Sequence, residues 1–212
     1  DAREGVRGTL RLNVPGVVAR FVLPALLARF MAAHPAIAVE VSQEDSFVDV
    51  LAAGFDAGVR YDERLEQDMI AVPIGPPVQR FVTAAAPAYL AARGRPEHPR
   101  DLLAHACLRH RFPSGVVPPW EFEREAEEVR ITPSGPLVCG AVEITIAAAV
   151  AGHGVVHGFE EFLCTPIGAG LLERVLEAWE QPFSGPKLYY PSRRHMPPAL
   201  RAFVDFLRRE GR

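Results

Sequence analysis

The side chains best placed to do chemistry are a few polar residues at the ends of apolar runs. In VLAAGFDAGVRYD (50–62) the run closes on Arg60, whose guanidinium offers a planar fork of donors suited to an anionic or polar ligand. The plainer reading makes Arg60 a solvated rim residue or the partner of Asp62 or Glu63. Asp56, four residues earlier and on the same face of an ideal strand, is expected to accept from backbone N–H groups rather than to act as a catalytic acid. Further candidates sit where strands give way to helices or loops: Pro15, Gly16 and Val17, Ser46 ahead of a short helix, Gly140 and Ala141, and His157. Such positions matter because open α/β sheets bind ligands beyond the carboxyl ends of their strands, beside helix N-termini.

Other chemistry-bearing patterns lead nowhere. In GHGVVHG (152–158) the glycines follow a helix and open a strand, whereas a dinucleotide fingerprint follows a strand and opens a helix. His105, Cys107 and His110 match no common zinc spacing and no fourth ligand is evident. The sequence has no G-x-S-x-G elbow, C-x-x-C, P-loop or H-E-x-x-H. The acidic pairs Glu127–Glu128 and Glu160–Glu161 read as solvated surface. The expectation is therefore a binding protein with no catalytic residues, no metal and no cofactor.

The elements that must position the candidates follow from apolar periodicity. Leu10, Leu12 and Val14 alternate in a strand over 8–14 that Pro15-Gly16 ends. Leu23, Leu26, Leu27, Phe30 and Met31 form the core stripe of a helix over 23–33. Strands over 37–41 and 55–59, with a short helix over 46–53, complete a β-α-β-α-β rhythm that points to a doubly wound parallel sheet. Residues 69–85 are strand-like, and the second half restarts the pattern with a helix over 142–151, a strand over 154–157, a late strand over 187–190 and a closing helix striped by Leu200, Phe203, Val204 and Leu207. With 212 residues, 49% of them hydrophobic, the chain can bury a full core. The net charge of −3, with lysine and arginine scattered singly, provides no stripe to follow a nucleic acid. Cys107, Cys139 and Cys164, odd in number and set among apolar or small residues, suit buried thiols in the cytoplasm. No apolar stretch reaches the roughly 18 residues that a membrane helix needs. Ala25, Ala28 and Ala32 line the outer face of the 23–33 helix, as a self-association surface or as helix-favouring filler.

Several stretches, in order along the chain, resemble one family. They are GTLRL (8–12), LPALLARF (23–30) with His34-Pro35, DVLAAGFDAGVR (49–60), APAYL (86–90), DLLAHACL (101–108), AGHG (151–154), YPSRRH (190–195) and ALRAFVDFL (199–207). Together they resemble the effector-binding domain of a LysR-type transcriptional regulator. The resemblance implies an α/β chain with a type 2 periplasmic-binding-protein-like fold: two doubly wound subdomains, 1–80 plus 187–212 and 81–186, joined by crossover strands near 78–85 and 184–190. It also implies a small polar or anionic effector in the cleft between them, a homodimer that becomes a tetramer in the full-length regulator, and DNA contact only through a winged helix-turn-helix absent from this chain. No membrane partner is implied.

Two departures bear on the ligand. His157-Gly158-Phe159 stand where relatives often carry a proline, and Gly140-Ala141 where an Asn-Asp pair is common. The second lobe is then expected to lean on backbone N–H groups, Thr145 and His157. The competing readings on the same fold are an extracytoplasmic solute-binding protein of a transporter and a small dehydratase or transferase.

Overall fold

A computed structural model describes residues 6–44, 53–61, 69–192 and 196–210. In chain order its strands are β1 (Gly8–Val14), β2 (Ile37–Gln43), β3 (Ala57–Arg60), β4 (Met69–Pro73), β5 (Val78–Ala85), β6 (Cys107–His110), β7 (Trp120–Arg124), β8 (Glu127–Ile131), β9 (Leu137–Cys139), β10 (Val155–Phe159), β11 (Glu173–Val175), β12 (Pro182–Ser184) and β13 (Lys187–Pro191). Its helices are α1 (Gly16–Phe21), α2 (Leu23–Ala33), α3 (Pro87–Arg93), α4 (Val142–Val150), α5 (Glu160–Gly168) and α6 (Pro198–Glu210). The chain forms two compact units, Asp1–Val78 with Ser184–Arg212, and Gln79–Phe183.

In the first unit the sheet runs β2-β1-β3-β13-β4. β1 pairs in parallel with β2 and β3, whereas β13 is antiparallel to both β3 and β4. The expected parallel sheet is thus mixed, because the chain returns from the second unit in the opposite direction. Leu10, Leu12 and Val14 are fully buried, together with Phe30 of α2 and Phe203 of α6. The Phe30 ring meets Phe203 edge-on at 5.0 Å and Phe206 at 5.5 Å, joining the two helices. The α2 stripe is narrower than expected: Leu23, Leu26 and Phe30 are buried, but Met31 is 50% exposed. Position 31 lies a further 100° round the helix from Phe30 and faces outward. The helix expected over 46–53 lies outside the described residues.

In the second unit the sheet runs β11-β5-β10-β6-β9, with β12 added on β5. β6 is parallel to β10 and β9, while β5 is antiparallel to β10. The hairpin β7–β8 buries Trp120, Phe122, Val129 and Ile131 and leaves its glutamates exposed. Gly154 lets the chain into β10, since a Cβ there would stand 2.4 Å from the Ala106 carbonyl oxygen.

α5 corrects one expectation. Glu160 and Glu161 form its first turn, where carboxylates favour the helix N-terminus. They are not merely solvated: Glu160 accepts from Arg174 at 3.0 Å, and Glu161 accepts from Gln79 at 2.7 Å. The thiols are corrected too: Cys107 is buried, Cys139 is half-buried and Cys164 is exposed.

Candidate functional site

The first unit gathers its candidates at the carboxyl ends of β1 and β3. These strands are neighbours, with Asn13 directly across from Gly58. Arg60 is two residues beyond Gly58 on the same face, so its side chain returns over the glycine to Asn13. The guanidinium donates to Asn13 Oδ1 at 2.5 Å and to the Val59 carbonyl oxygen at 2.6 Å. Asn13 is fully buried. It then leads into Val14 and Pro15, and the Pro15 carbonyl oxygen accepts from the N–H groups of Val18 and Ala19 at 3.1 and 3.0 Å, starting α1. Gly16 opens that helix, and the Val17 side chain is buried. Asp56 accepts from the Arg11 N–H at 2.8 Å, the backbone role expected of it. Ser46, Asp62 and Glu63 lie outside the described residues.

In the second unit Gly140 and Ala141 connect β9 to α4. The Ala141 N–H donates to Cys139 Sγ at 3.3 Å, and its carbonyl oxygen accepts from the N–H and hydroxyl of Thr145 at 3.3 and 3.4 Å. Thr145 is therefore buried with its hydroxyl turned back into its own helix. His157 is held away from this turn. Its ring shares a 2.9 Å hydrogen bond with Thr83 and packs against Trp120, Phe122 and Phe81 at 4.9–5.4 Å between centroids. Burial holds its pKa down at about 3, so the imidazole is neutral. The Thr145 hydroxyl and the Nδ1 of His157 thus have partners inside the second unit.

The histidines weighed as incidental have partners as well: His105 Nδ1 lies 3.2 Å from the Tyr89 hydroxyl, and His110 packs on Phe112. Among the described residues no three His, Cys, Asp or Glu side chains gather to hold a metal. No described helix is long and apolar enough to cross a membrane. A groove of about 310 Å³ in the first unit is lined mainly by Phe21, Val22, Leu26, Ile74 and Leu207, with Arg29 and Glu210 among its residues, and includes none of the candidates.

Two residues escaped the sequence reading. Asn13 supports Arg60 across 47 positions of sequence, a pairing that only the β1–β3 register creates. Arg109 anchors the proline-rich loop after β6 by donating to the carbonyl oxygens of Val117 and Pro118 at 3.3 and 3.1 Å. A polar residue inside the otherwise apolar end of β1 was the available signal for Asn13.

Comparison with known proteins agrees with this architecture. The family model described as the LysR substrate binding domain matches residues 3–212. An uncharacterized HTH-type transcriptional regulator of Escherichia coli, YcaN, is 41% identical over 208 residues, covering 98% of this chain and 68% of the relative. The E. coli HTH-type transcriptional regulator PgrR is 31% identical over 212 residues, covering 100% of this chain and 71% of the relative. Among solved structures, the full-length Vibrio cholerae virulence activator AphB superposes with a TM-score of 0.79 at 24% identity, covering 96% of this chain and 69% of that one. CrgA of Neisseria meningitidis, a LysR-type transcriptional regulator, gives 0.77 at 23% identity, over 97% and 69% of the two chains. These likenesses carry the type 2 periplasmic-binding-protein-like fold, and the match over 3–212 with relatives at 41% and 31% identity shows that the chain belongs to the LysR substrate-binding domain family of transcriptional regulators.

Proposed function

We propose that this chain is the effector-sensing part of its regulator: it binds a small polar or anionic metabolite without transforming it, and the binding biases a DNA-reading domain of the same regulator. The match of one family model to both units carries this reading. In the first unit the Arg60 guanidinium, anchored on Asn13 beside Pro15, Gly16 and Val17, supplies the charge that recognises the effector. In the second, Gly140 and Ala141 supply backbone groups at the head of α4, with Thr145 and His157 as supports. An effector with different affinities for two arrangements of the chain shifts their populations. A coupling of about 1–3 kcal/mol is enough to regulate.

The working form is a homodimer, and a tetramer in the full-length regulator, acting in the cytoplasm where regulators meet DNA. Two helix faces favour self-association. α2 turns Ala25, Ala28, Met31 and Ala32 outward, and α4 leaves Ile144 and Ala147 exposed, with Ala151 just past its end, on a helix that is apolar nearly all round. Membership of a transcriptional-regulator family favours this reading over a transporter's solute-binding protein and over an enzyme.

Thermal-shift screening of the chain against a metabolite panel tests the reading. At least one metabolite is expected to raise Tm in wild type, with a clearly smaller rise in Arg60→Ala. A panel that stabilises neither protein, or both equally, contradicts it.

A further inference from the structure

We propose that the second unit binds an organic cation, with the Glu161 carboxylate as counter-ion and the exposed Phe81 ring beside it, so that the effector carries an alkylammonium group on an apolar body. This deepens the sensor reading and rests on it.

Charge matching singles out Glu161. The first turn of α5 carries two consecutive glutamates in different surroundings. Glu160 is shared by Arg174 at 3.0 Å and Arg80 at 3.4 Å, and Arg174 also meets Glu180. Glu161 meets no cation among the described residues. Its Oε1 accepts from the Gln79 amide at 2.7 Å, while its Oε2 is buried with no donor among the described residues. An amide brings a dipole and no charge, and the N-terminus of α5 offsets only part of a full negative charge. A half-buried carboxylate with one oxygen left unpaired is costly and uncommon, and asks for a donor that the protein does not itself supply.

Strand register supplies the rest of the site. Phe159, two residues before Glu161, is directly across the β10–β5 ladder from Phe81, and Phe81 is two residues beyond Gln79 on the same face of β5. The rings of Phe81, Phe159 and Phe183 pack tilted or edge-on, 4.6–5.9 Å between centroids, yet Phe81 keeps 38% of its surface exposed. All of these residues belong to the second unit, and Glu161 follows the carboxyl end of β10, the end of a strand at which α/β sheets bind ligands. An alkylammonium meets each demand: it donates N–H to Oε2, its charge matches the one carboxylate left over, and an aromatic ring attracts it. A neutral alcohol of the same shape donates one hydrogen bond and brings no charge.

The experiment titrates the 212-residue chain with benzylammonium and with neutral benzyl alcohol at pH 7, by calorimetry and by NMR of the backbone amides. Wild type is expected to bind benzylammonium about tenfold or more tightly than the alcohol, with the largest shifts at Phe81 and Glu161. Glu161→Gln keeps the shape and removes the charge; it is expected to bring the two affinities within about twofold. Phe81→Leu alters an exposed ring and is expected to weaken benzylammonium about threefold, so it carries the test should the Glu161 variant fail to fold. Equal binding of the two probes, or a preference for the ammonium that neither substitution changes, overturns the assignment. So does millimolar benzylammonium that leaves the spectrum unperturbed, and so does a crystal structure in which an ordered water on Oε2 stays in place with the probe bound. The sensor reading survives each of these wherever the metabolite panel contains a stabilising compound that depends on Arg60. A panel with no such compound removes the sensor reading, and this assignment with it.

Discussion

The imidazole Nδ1 of His157 lies 2.9 Å from the hydroxyl oxygen of Thr83, a residue directly across the β10–β5 ladder and itself fully buried. The ring is enclosed by Trp120, Phe122 and Phe81, and this burial disfavours its charged form. In the unfolded chain the ring takes up a proton near its ordinary pKa of 6.5, but in the folded chain only near 3. Between those values the unfolded chain binds the extra proton, so stability rises with pH and is lost as the pH falls below about 6.5. A single such group contributes at most about 1.4 kcal/mol per pH unit. Thermal denaturation at pH 7 and pH 5 should show a drop in Tm that shrinks in His157→Gln. An equal drop in both proteins would place the titrating group elsewhere.

The thiols should separate by burial. The Cys107 thiol is held inside the second unit with its pKa pushed up to about 12, so it has almost no thiolate at neutral pH. Cys164 is exposed on α5. Titration of the native chain with an aromatic disulfide reagent is expected to label Cys164 within minutes and Cys107 only after unfolding. Rapid labelling of Cys107 in the native chain would show that β6 opens locally.

Close approach of backbone makes Gly135 sensitive. A Cβ there would stand 1.9 Å from the Cys107 carbonyl oxygen and 2.5 Å from its nitrogen, where the Cys107 N–H already donates to Ser134. Backbone on both sides leaves nothing soft to move aside. Gly135→Ala should destabilise by about 3 kcal/mol or more, read as a large fall in the denaturant midpoint. A midpoint equal to wild type would mean that this loop does not lie against β6 in solution.

The fold was most legible where apolar spacing was regular and least where chemistry was mixed. The stripe through Leu200, Phe203, Val204 and Leu207 announced α6, and the alternation of Leu10, Leu12 and Val14 announced β1. α5 stayed hidden because Pro166 interrupts it and Gly168 ends it. β7 was lost because charged residues outnumber apolar ones in its stretch and the turn after it uses Glu125 at a positive φ of 57° in place of a glycine or asparagine signal. Arg60 could be singled out as a charge closing an apolar run, whereas its support by Asn13 depends on strand register. Thr145 and His157 showed the reverse limit: their types suggested donors, but only the fold reveals that the Thr145 hydroxyl turns back to Ala141 and that Nδ1 of His157 is paired with Thr83.

Self-association should depend on the outward faces of α2 and α4. Ala28→Arg and Ile144→Glu each place a charge on an exposed apolar surface without touching the core. Sedimentation at micromolar concentration is expected to show a dimer for wild type and a shift toward monomer for either variant. A wild-type monomer, or a dimer indifferent to both changes, would contradict the assembly proposed.

A sensor holds its guest molecule and performs no chemistry on it, which proton NMR of the chain mixed with a stabilising metabolite can follow. Line broadening and saturation transfer are expected on the ligand's resonances, both weakened in Arg60→Ala, with the ligand's own spectrum unchanged after a day. New resonances from a converted ligand that depend on the folded chain, or a ligand whose lines never respond to the protein, would contradict it.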